Sequence, residues 1–374
     1  MSKVNVIYHH FPHYRRPVMR ELVKSGVHEY RFWGSLDAIS GIKAFQGDDL
    51  VSIRPIRFRF RGSTWVLKDY WPAVLDRSAD VLVVHGHPNM PASWLIGLVG
   101  RLTGKKVLYW AHGWLKREPP FRAFIRRLHY SLGHRVMTYG ERARKVAAQT
   151  GFPPEKIVPI YNSLDWLVAR EVLQGLQAEG VASIRQRLGI PQDVFLISCV
   201  ARLTSLCRFD LLLDAIAQLK QRGTKAQAIL IGDGPVRAKL EEQAARLDVD
   251  VQFLGAIYDE EILGAHIFAS DVTASPGKIG LSAMHSLMYG TPVVSHDDMD
   301  SQMPEIEAIV PGKSGLLFKR NDVASLADAL ESWCRRSADR EAMRKQCLEI
   351  IETRYNPVAQ AKIINDTISQ VVGK

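Results

Sequence analysis

The sequence predicts an α/β protein built from two doubly wound parallel sheets in series. Three observations predict it. The chain has 374 residues, a natural length for two domains. Short apolar runs alternate with amphipathic helical stretches, the pattern of βαβ units. A polar helical stretch, residues 166–192, separates two such series and ends at Gly189-Ile-Pro191. The expected domains are 1–170 and 190–355, followed by a C-terminal helix over 356–374.

In the first series, strands are expected at 4–9, 81–85, 106–111, 135–139 and 157–161. The run VLVVH (81–85) is apolar throughout and reads as buried on both faces. Helices are expected at 17–25, 121–132 and 141–149. In the second series, strands are expected at 194–200, 226–231, 251–254, 272–275 and 291–295. Helices follow at 209–221, 236–247, 259–269 and 282–288, and the last two at 323–336 and 357–372. Ligands of open α/β sheets bind outside the carboxyl ends of the strands, so chemistry is expected on the strand-to-helix loops and in a cleft between the two domains.

Composition narrows the classes. Hydrophobic residues make up 47% and charged residues 24%, normal for a globular protein. Cys199, Cys207, Cys334 and Cys347 form no CxxC pair, which argues against a disulfide scaffold and for a reducing cytoplasm. No apolar stretch reaches the roughly 18–20 residues of a spanning helix, and the N-terminus does not read as a signal peptide. Net charge is +10 but uneven. Residues 1–170 hold 27 Lys+Arg against 12 Asp+Glu, or +15; the remainder holds 22 against 27, or −5. The first half is therefore expected to face something anionic: lipid headgroups, a pyrophosphate-linked substrate or nucleic acid. Nucleic acid is the weakest of these, because no aromatic-basic platform or known motif stands out.

Two motifs carry chemistry. In Ser275-Pro-Gly-Lys-Ile-Gly-Leu-Ser-Ala-Met-His-Ser-Leu-Met-Tyr-Gly-Thr-Pro-Val-Val294, Gly277 and Gly280 let the backbone approach a ligand. Ser282 is expected to cap the following helix, whose free N–H groups make an anion site beside Lys278. In Val200-Ala-Arg-Leu-Thr-Ser-Leu-Cys-Arg-Phe-Asp210, Arg202 and Arg208 stand beyond a buried strand, where guanidiniums can grip phosphate oxygens. Taken alone, each motif is equally an ordinary crossover loop or a pair of surface arginines.

From 194 to about 318 the chain resembles the donor domain of retaining GT-B glycosyltransferases of family 4. The resemblance rests on Ala201-Arg202-Leu203, Gly232-Asp-Gly-Pro235, Phe253-Leu-Gly255, Gly290-Thr-Pro-Val-Val294, Pro304-Glu305 and Gly312-Lys-Ser-Gly-Leu-Leu317. Trp110-Ala-His-Gly113 and Ile160-Tyr-Asn-Ser163 extend it weakly into the first half. It implies a GT-B fold of two Rossmann-like domains, an N-terminal one for the acceptor and a C-terminal one for a nucleotide-sugar donor, with the last helix crossing back to the first domain. It implies transfer with retention at the anomeric carbon, no metal and no cofactor beyond the co-substrate, UDP- or GDP-linked.

The resemblance also implies roles. Arg202 and Arg208 would stabilise the leaving diphosphate, and His112 would steady charge at the reacting carbon. Gly277, Lys278, Gly280, Leu281, Ser282, His285, Tyr258 and Glu305 would bind the donor. His10, His13, Tyr14, Arg15 and His87, after the first and second expected strands, would bind the acceptor, with His9 and His85 beside them. The sequence departs from the family at its Glu-x₇-Glu pair, which falls on Gly277 and His285, and at its Lys, which falls on Cys207 beside Arg208. His285 is expected to take the ribose contact and Arg208 the phosphate contact.

The helix expected at 121–132 carries Phe121, Phe124, Ile125, Leu128 and Leu132 in one stripe, flanked by Arg122, Arg126 and Arg127. It is either an interfacial membrane helix or packs on its own sheet. The run Arg54-x-x-Arg57-x-Arg59-x-Arg61 extends the basic surface or meets an acceptor pyrophosphate. A saccharide acceptor carried on a lipid, at the cytoplasmic face of the plasma membrane, is the expected setting. The rivals are a sugar-nucleotide epimerase of the same architecture and a non-catalytic lipid- or glycan-binding partner that has lost the glutamates. The His9-His10-x-x-His13 run and Asp298-Met-Asp300 are not expected to hold metal.

Overall fold

Apolar runs of five or six residues become strands buried on both faces, and their sheets organise the molecule. The computed structural model describes residues 1–39, 41–336 and 339–373. They form two compact units: residues 1–164 with the C-terminal segment from Asn356, and residues 165–355.

The first unit holds β1 (Lys3–His10), β2 (Glu29–Ser35), β3 (Ile53–Pro55), β4 (Arg57–Arg61), β5 (Thr64–Lys68), β6 (Val81–His85), β7 (Lys106–Trp110), β8 (Arg135–Thr138) and β9 (Ile157–Pro159). Seven of them make a parallel sheet in the order β3-β2-β1-β6-β7-β8-β9. β4 and β5 form a separate antiparallel hairpin, from Arg57 opposite Lys68 to Arg61 opposite Thr64. Arg54 of the basic run thus lies on β3, and Arg57, Arg59 and Arg61 lie on one strand of this hairpin. Its alternation is the period-two pattern of a strand: Phe58 meets Trp65 at 5.6 Å while Arg57, Arg59 and Arg61 are exposed. The helix Pro357–Val372 belongs to this unit and lies beside the helix Arg16–Lys24. It is fixed by Tyr30 Oη donating to Asn365 Oδ1 (2.5 Å), Asn365 Nδ2 to Ser25 Oγ (3.0 Å) and Gln360 Nε2 to the Tyr161 carbonyl (2.6 Å).

The second unit holds β10 (Phe195–Val200), β11 (Ala226–Ile231), β12 (Asp250–Gly255), β13 (Val272–Ser275), β14 (Val293–His296) and β15 (Gly315–Phe318), parallel in the order β12-β11-β10-β13-β14-β15. The helices Phe209–Gln221 and Val323–Cys334 cover one face with Leu212, Leu213, Ile216, Leu219, Leu326, Leu330 and Trp333. Burying each such side chain contributes about 1.5–3 kcal/mol. The stretch expected as a polar helical linker is helical, and it is packed into the second unit. The helix Trp166–Glu179 buries Trp166, Ala169, Leu173 and Leu176 and packs on the helix Glu260–Ala269 of the same unit. The helix Arg340–Thr353, which the sequence reading passed over, is also present; its apolar positions are few, Cys347 and Ile351 being its buried ones beside Arg344.

Both sheets reverse their strand order once, between β1 and β6 and between β10 and β13. A crevice opens outside the carboxyl ends of the strands at such a reversal. The residues expected to carry chemistry fall largely at these two places.

Candidate active site

In the second unit, β10 is followed by Ala201-Arg202-Leu203, and the turn after β11 presses against it backbone to backbone. Leu203 N–H donates to the Asp233 carbonyl (3.0 Å) and Val236 N–H to the Leu203 carbonyl (3.3 Å). At Gly232 (φ +146°) a Cβ would lie 1.9 Å from the Ala201 carbonyl oxygen, so only glycine fits. The loop after β13 is held as closely. Gly277 N–H donates to the Cys207 carbonyl (2.9 Å) and Lys278 N–H to the Leu206 carbonyl (3.1 Å), and a Cβ at 277 would sit 1.9 Å from the Leu206 oxygen. The space that a glutamate at 277 would need is filled by the turn Ser205–Cys207. Gln302, almost fully buried, closes the arrangement: its Oε1 accepts from Ile279 N–H (2.8 Å), and its Nε2 donates to Ser295 Oγ (3.0 Å) and the carbonyls of His296 (3.2 Å) and Gly277 (3.4 Å). The next N–H groups, of Gly280, Leu281 and Ser282, donate to no acceptor among the described residues. Together with the helix behind them they present a positive edge.

The charged residues around this loop differ in availability. Arg202 is exposed and its guanidinium makes no hydrogen bond or ion pair among the described residues, its carbonyl alone accepting from Cys207 Sγ (3.2 Å), and Lys278 is exposed. Arg208 is committed elsewhere. At φ +51° its guanidinium clasps Asp210 (Nη2–Oδ2 3.0 Å) and donates to Asn321 Oδ1 (2.5 Å). It does not stand as the free phosphate grip expected of it, because the carboxylate two residues on offers a nearer partner. Ser282 is the first residue of its helix; Leu281 holds the cap position, with no side-chain cap bond. His285 Nε2 lies 3.9 Å from Glu260 Oε2, and Glu260 Oε1 accepts from Tyr289 Oη (2.6 Å). Burial lowers the His285 pKa, against the pull of Glu260. Tyr258 is 91% exposed, and Glu305 is buried on the turn Pro304–Ala308.

The first unit's reversal is built from side chains. Tyr8, His9 and His10 end β1, and Arg15 follows at the cap of the first helix. The Arg15 guanidinium is buried over the rings of Trp110 (4.8 Å), Tyr8 (5.0 Å) and Tyr139 (5.2 Å). Its Nη2 donates to the phenol oxygens of Tyr139 and Tyr8, the latter at 3.4 Å, and its Nε has no acceptor. His85, at the end of β6, lies between Tyr8 (4.3 Å) and His9 (4.4 Å), and His87 stacks on Trp65 of the hairpin at 4.2 Å. Burial, reinforced by neighbouring positive charge, holds these imidazoles neutral: His9 and His85 well below the usual value, His10 and His87 at about 4. His112 is exposed and meets Tyr139 edge-on at 5.0 Å, which joins it to the cluster. His13 is exposed with its ring against Tyr14. Beside His87 opens a cavity of about 910 Å³, bounded by the hairpin tip (Ser63, Thr64), Trp94, Leu95, Phe121 and Arg126.

Residues 181–349 match the family described as Glycosyl transferases group 1, and residues 18–165 match Glycosyltransferase Family 4. The chain belongs to the glycosyltransferases of the GT-B fold. Its fold is shared with HepE of Anabaena, solved with UDP (TM-score 0.74, 18% identity, 99% of this chain and 100% of that one), and with a glycosyltransferase of Rickettsia africae (TM-score 0.72, 13% identity, 99% and 98%). Among curated relatives, a GDP-mannose-dependent α-(1-6)-phosphatidylinositol dimannoside mannosyltransferase of Mycobacterium tuberculosis is 36% identical over 30% of either chain. The putative glycosyltransferase EpsF of Bacillus subtilis is 29% identical over 59% of this chain and 56% of its own. The chain thus spans about a third to just over half of the length of these relatives.

Within this glycosyltransferase, the sequence located the loops but missed several residues that shape them. Gln302 lies in a loop without motif, and nothing in its spacing marks it. Tyr8, Trp110 and Tyr139 read as ordinary strand positions and Trp65 falls in no expected element; the aromatic run of the hairpin was the one available signal. Glu260, beside His285, comes from a different helix. Among the described residues no group of three or more His, Cys, Asp or Glu is arranged to hold a metal ion.

Proposed function

We propose that this chain is a retaining glycosyltransferase that moves a sugar from a nucleoside-diphosphate sugar, UDP- or GDP-linked, to a hydroxyl of a lipid-linked saccharide in surface polysaccharide or glycan biosynthesis. The observation that carries this reading is the backbone cradle of the second unit: the unpaired N–H groups of Gly280, Leu281 and Ser282, with Arg202 uncommitted nearby. Such fixed donors stabilise a leaving diphosphate without reorganising when charge develops, and one of them is typically worth ~10²–10³ in rate. The resemblance assigns Tyr258, Lys278, His285 and Glu305 to the donor and His112 to the charge at the reacting carbon. The diphosphate oxygens themselves serve as base toward the acceptor hydroxyl, so neither a metal nor a protein carboxylate is required.

The acceptor reading rests on the first unit. His10, His87, Arg15 and the cavity beside His87 form the side-chain-rich half. The helix Pro120–Ser131 turns Phe121 (75% exposed), Phe124 and Leu128 outward beside the exposed Arg122 and Arg127, while Ala123, His129 and Tyr130 face inward. Leu95, Leu98 and Leu102 of the helix Pro91–Leu102 are exposed too. Apolar rings among arginines suit an anionic lipid interface. No helix among the described residues is long and apolar enough to cross a membrane, so attachment would be peripheral.

The deciding experiment is a thermal-shift screen against UDP, GDP, dTDP and CMP, followed by transfer to a lipid-linked acceptor with the anomeric configuration read by NMR. A selective nucleoside diphosphate, at 100 times its Kd, stabilises by about 2.7 kcal/mol. No shift with any nucleotide would sink the transfer reading and leave a binding partner. Turnover of the sugar nucleotide without acceptor would mean an epimerase.

A further inference from the structure

Buried arginines elsewhere in this chain are matched by acceptors. Arg185 pairs with Asp271 (2.7 Å) and donates to the carbonyls of Ala269, Gln192 and Val194. Arg344 donates to the carbonyls of Tyr289 (2.9 Å) and Phe268 (2.5 Å). The half-buried Arg126 likewise holds Glu118 through two bonds (2.6 and 2.7 Å) and adds the Gly113 carbonyl. Arg15, 7% exposed, departs from this pattern. It has two phenol oxygens and three ring faces, but no carboxylate and no carbonyl among the described residues. Ring faces attract a cation but do not neutralise it. A desolvated guanidinium without a counter-ion is poor structural material.

Unmatched polar atoms gather around it. Arg15 Nε, His9 Nδ1, both ring nitrogens of His10 and His85 Nδ1 are enclosed and have no hydrogen-bond partner. His9, His10 and His85 make no bond to a carboxylate. The site therefore holds one fixed positive charge, several unused donors and no negative charge. Nη2 is already shared between two phenols, which leaves Nε and the imidazole nitrogens as the groups a bound anion would meet. These suit a tetrahedral oxyanion.

We propose that Arg15, with His9, His10, His85, Tyr8 and Tyr139, is a phosphoryl-binding subsite, and that the acceptor brings the phosphoryl group. This rests on the acceptor side of the proposed function and specifies its chemistry: the accepting saccharide carries a phosphate ester or pyrophosphate close to the hydroxyl that is glycosylated. Burial first, and the charge of Arg15 after it, lower the pKa values of His9, His10 and His85.

The test uses the full-length protein with inorganic phosphate, pyrophosphate and acetate as probes, binding being read by ³¹P line broadening or calorimetry and stability by thermal unfolding. Wild type is expected to bind phosphate or pyrophosphate and to ignore acetate. Arg15→Gln is expected to weaken phosphate binding at least tenfold without lowering the melting temperature, because it removes a buried charge that nothing neutralises. Tyr139→Phe is expected to weaken binding three- to tenfold and serves if the first variant does not fold. A melting temperature that falls in Arg15→Gln while phosphate binding persists would make Arg15 structural and overturn the inference. Repeating the titration with saturating UDP or GDP separates the sources. Unchanged phosphate affinity assigns the phosphoryl group to the acceptor, and loss of binding assigns it to the nucleotide, against the inference. A missing nucleotide shift with phosphate binding intact would fail the transfer reading alone; missing phosphate binding with the nucleotide shift intact would fail this one alone.

Discussion

The two strand-order reversals of this molecule are made from opposite materials. In the second unit, backbone presses on backbone: Gly232 and Gly277 have no room for a Cβ, Gln302 ties the loop together, and the main-chain N–H groups of Gly280, Leu281 and Ser282 are left open. In the first unit, large side chains do the work, and a buried cation and several imidazole nitrogens remain unmatched. The difference teaches what each end can recognise. A cradle of main-chain N–H groups fits any diphosphate and tolerates little change. A pocket of rings and unmatched donors holds a specific partner and is unstable to the extent that the partner is absent.

The comparison can be broken most severely at Gly277. Gly277→Ala drives a methyl into the Leu206 carbonyl. It should lower stability by about 1–3 kcal/mol through overpacking and abolish the thermal shift given by the nucleotide. A variant that keeps that shift would show that the loop is not the cradle. Arg202→Ala comes next. It should lower kcat/KM by ~10²–10³ with an unchanged melting temperature, while Arg208→Ala, whose guanidinium already serves Asp210, should lower it far less. Equal losses from the two would restore Arg208 to the phosphate role.

Acid should separate the units. His9, His10, His85 and His87 have pKa values below that of an unfolded histidine, so the unfolded chain binds more protons as pH falls below about 6.5, and the fold loses stability down to pH 4. His10 alone, at about 4, represents roughly 3 kcal/mol over that range. Hydrogen exchange from pH 7 to 4.5 should show the first unit opening earlier than the second; simultaneous opening would contradict it. Gln302→Leu should cost about 1–3 kcal/mol by leaving the Ile279 N–H unmatched, read as a lower melting temperature that is partly recovered with nucleotide. The smallest effect is expected for Phe121→Ser with Phe124→Ser. Binding to anionic liposomes should fall several-fold while turnover on a soluble acceptor is unchanged, and unaltered liposome binding would remove this helix from the interface.

Strands such as VLVVH and FLISCV were legible because a short, nearly continuous apolar run has few other places to go. The loops of the second unit were legible because Gly232 and Gly277 answer a steric requirement that no other residue meets. The hairpin was missed because its alternating Arg and Phe read as charge rather than as strand period. The helices after residue 165 read as a linker because their buried positions, Trp166, Ala169, Leu173 and Leu176, are diluted by polar residues on the outer face.

The sequence by itself determined the two βαβ series and the glycines that the second unit's cradle demands, since these follow from local period and local sterics. Only the tertiary structure decided which charges are available. Arg202 and Arg208 look alike in sequence, yet Asp210 and Asn321 occupy one and leave the other exposed. Arg15 looks like any arginine at a helix start, yet residues from β1, β7 and the end of β8 enclose it without a counter-ion. Availability is set by partners distant in sequence, and no local pattern encodes them.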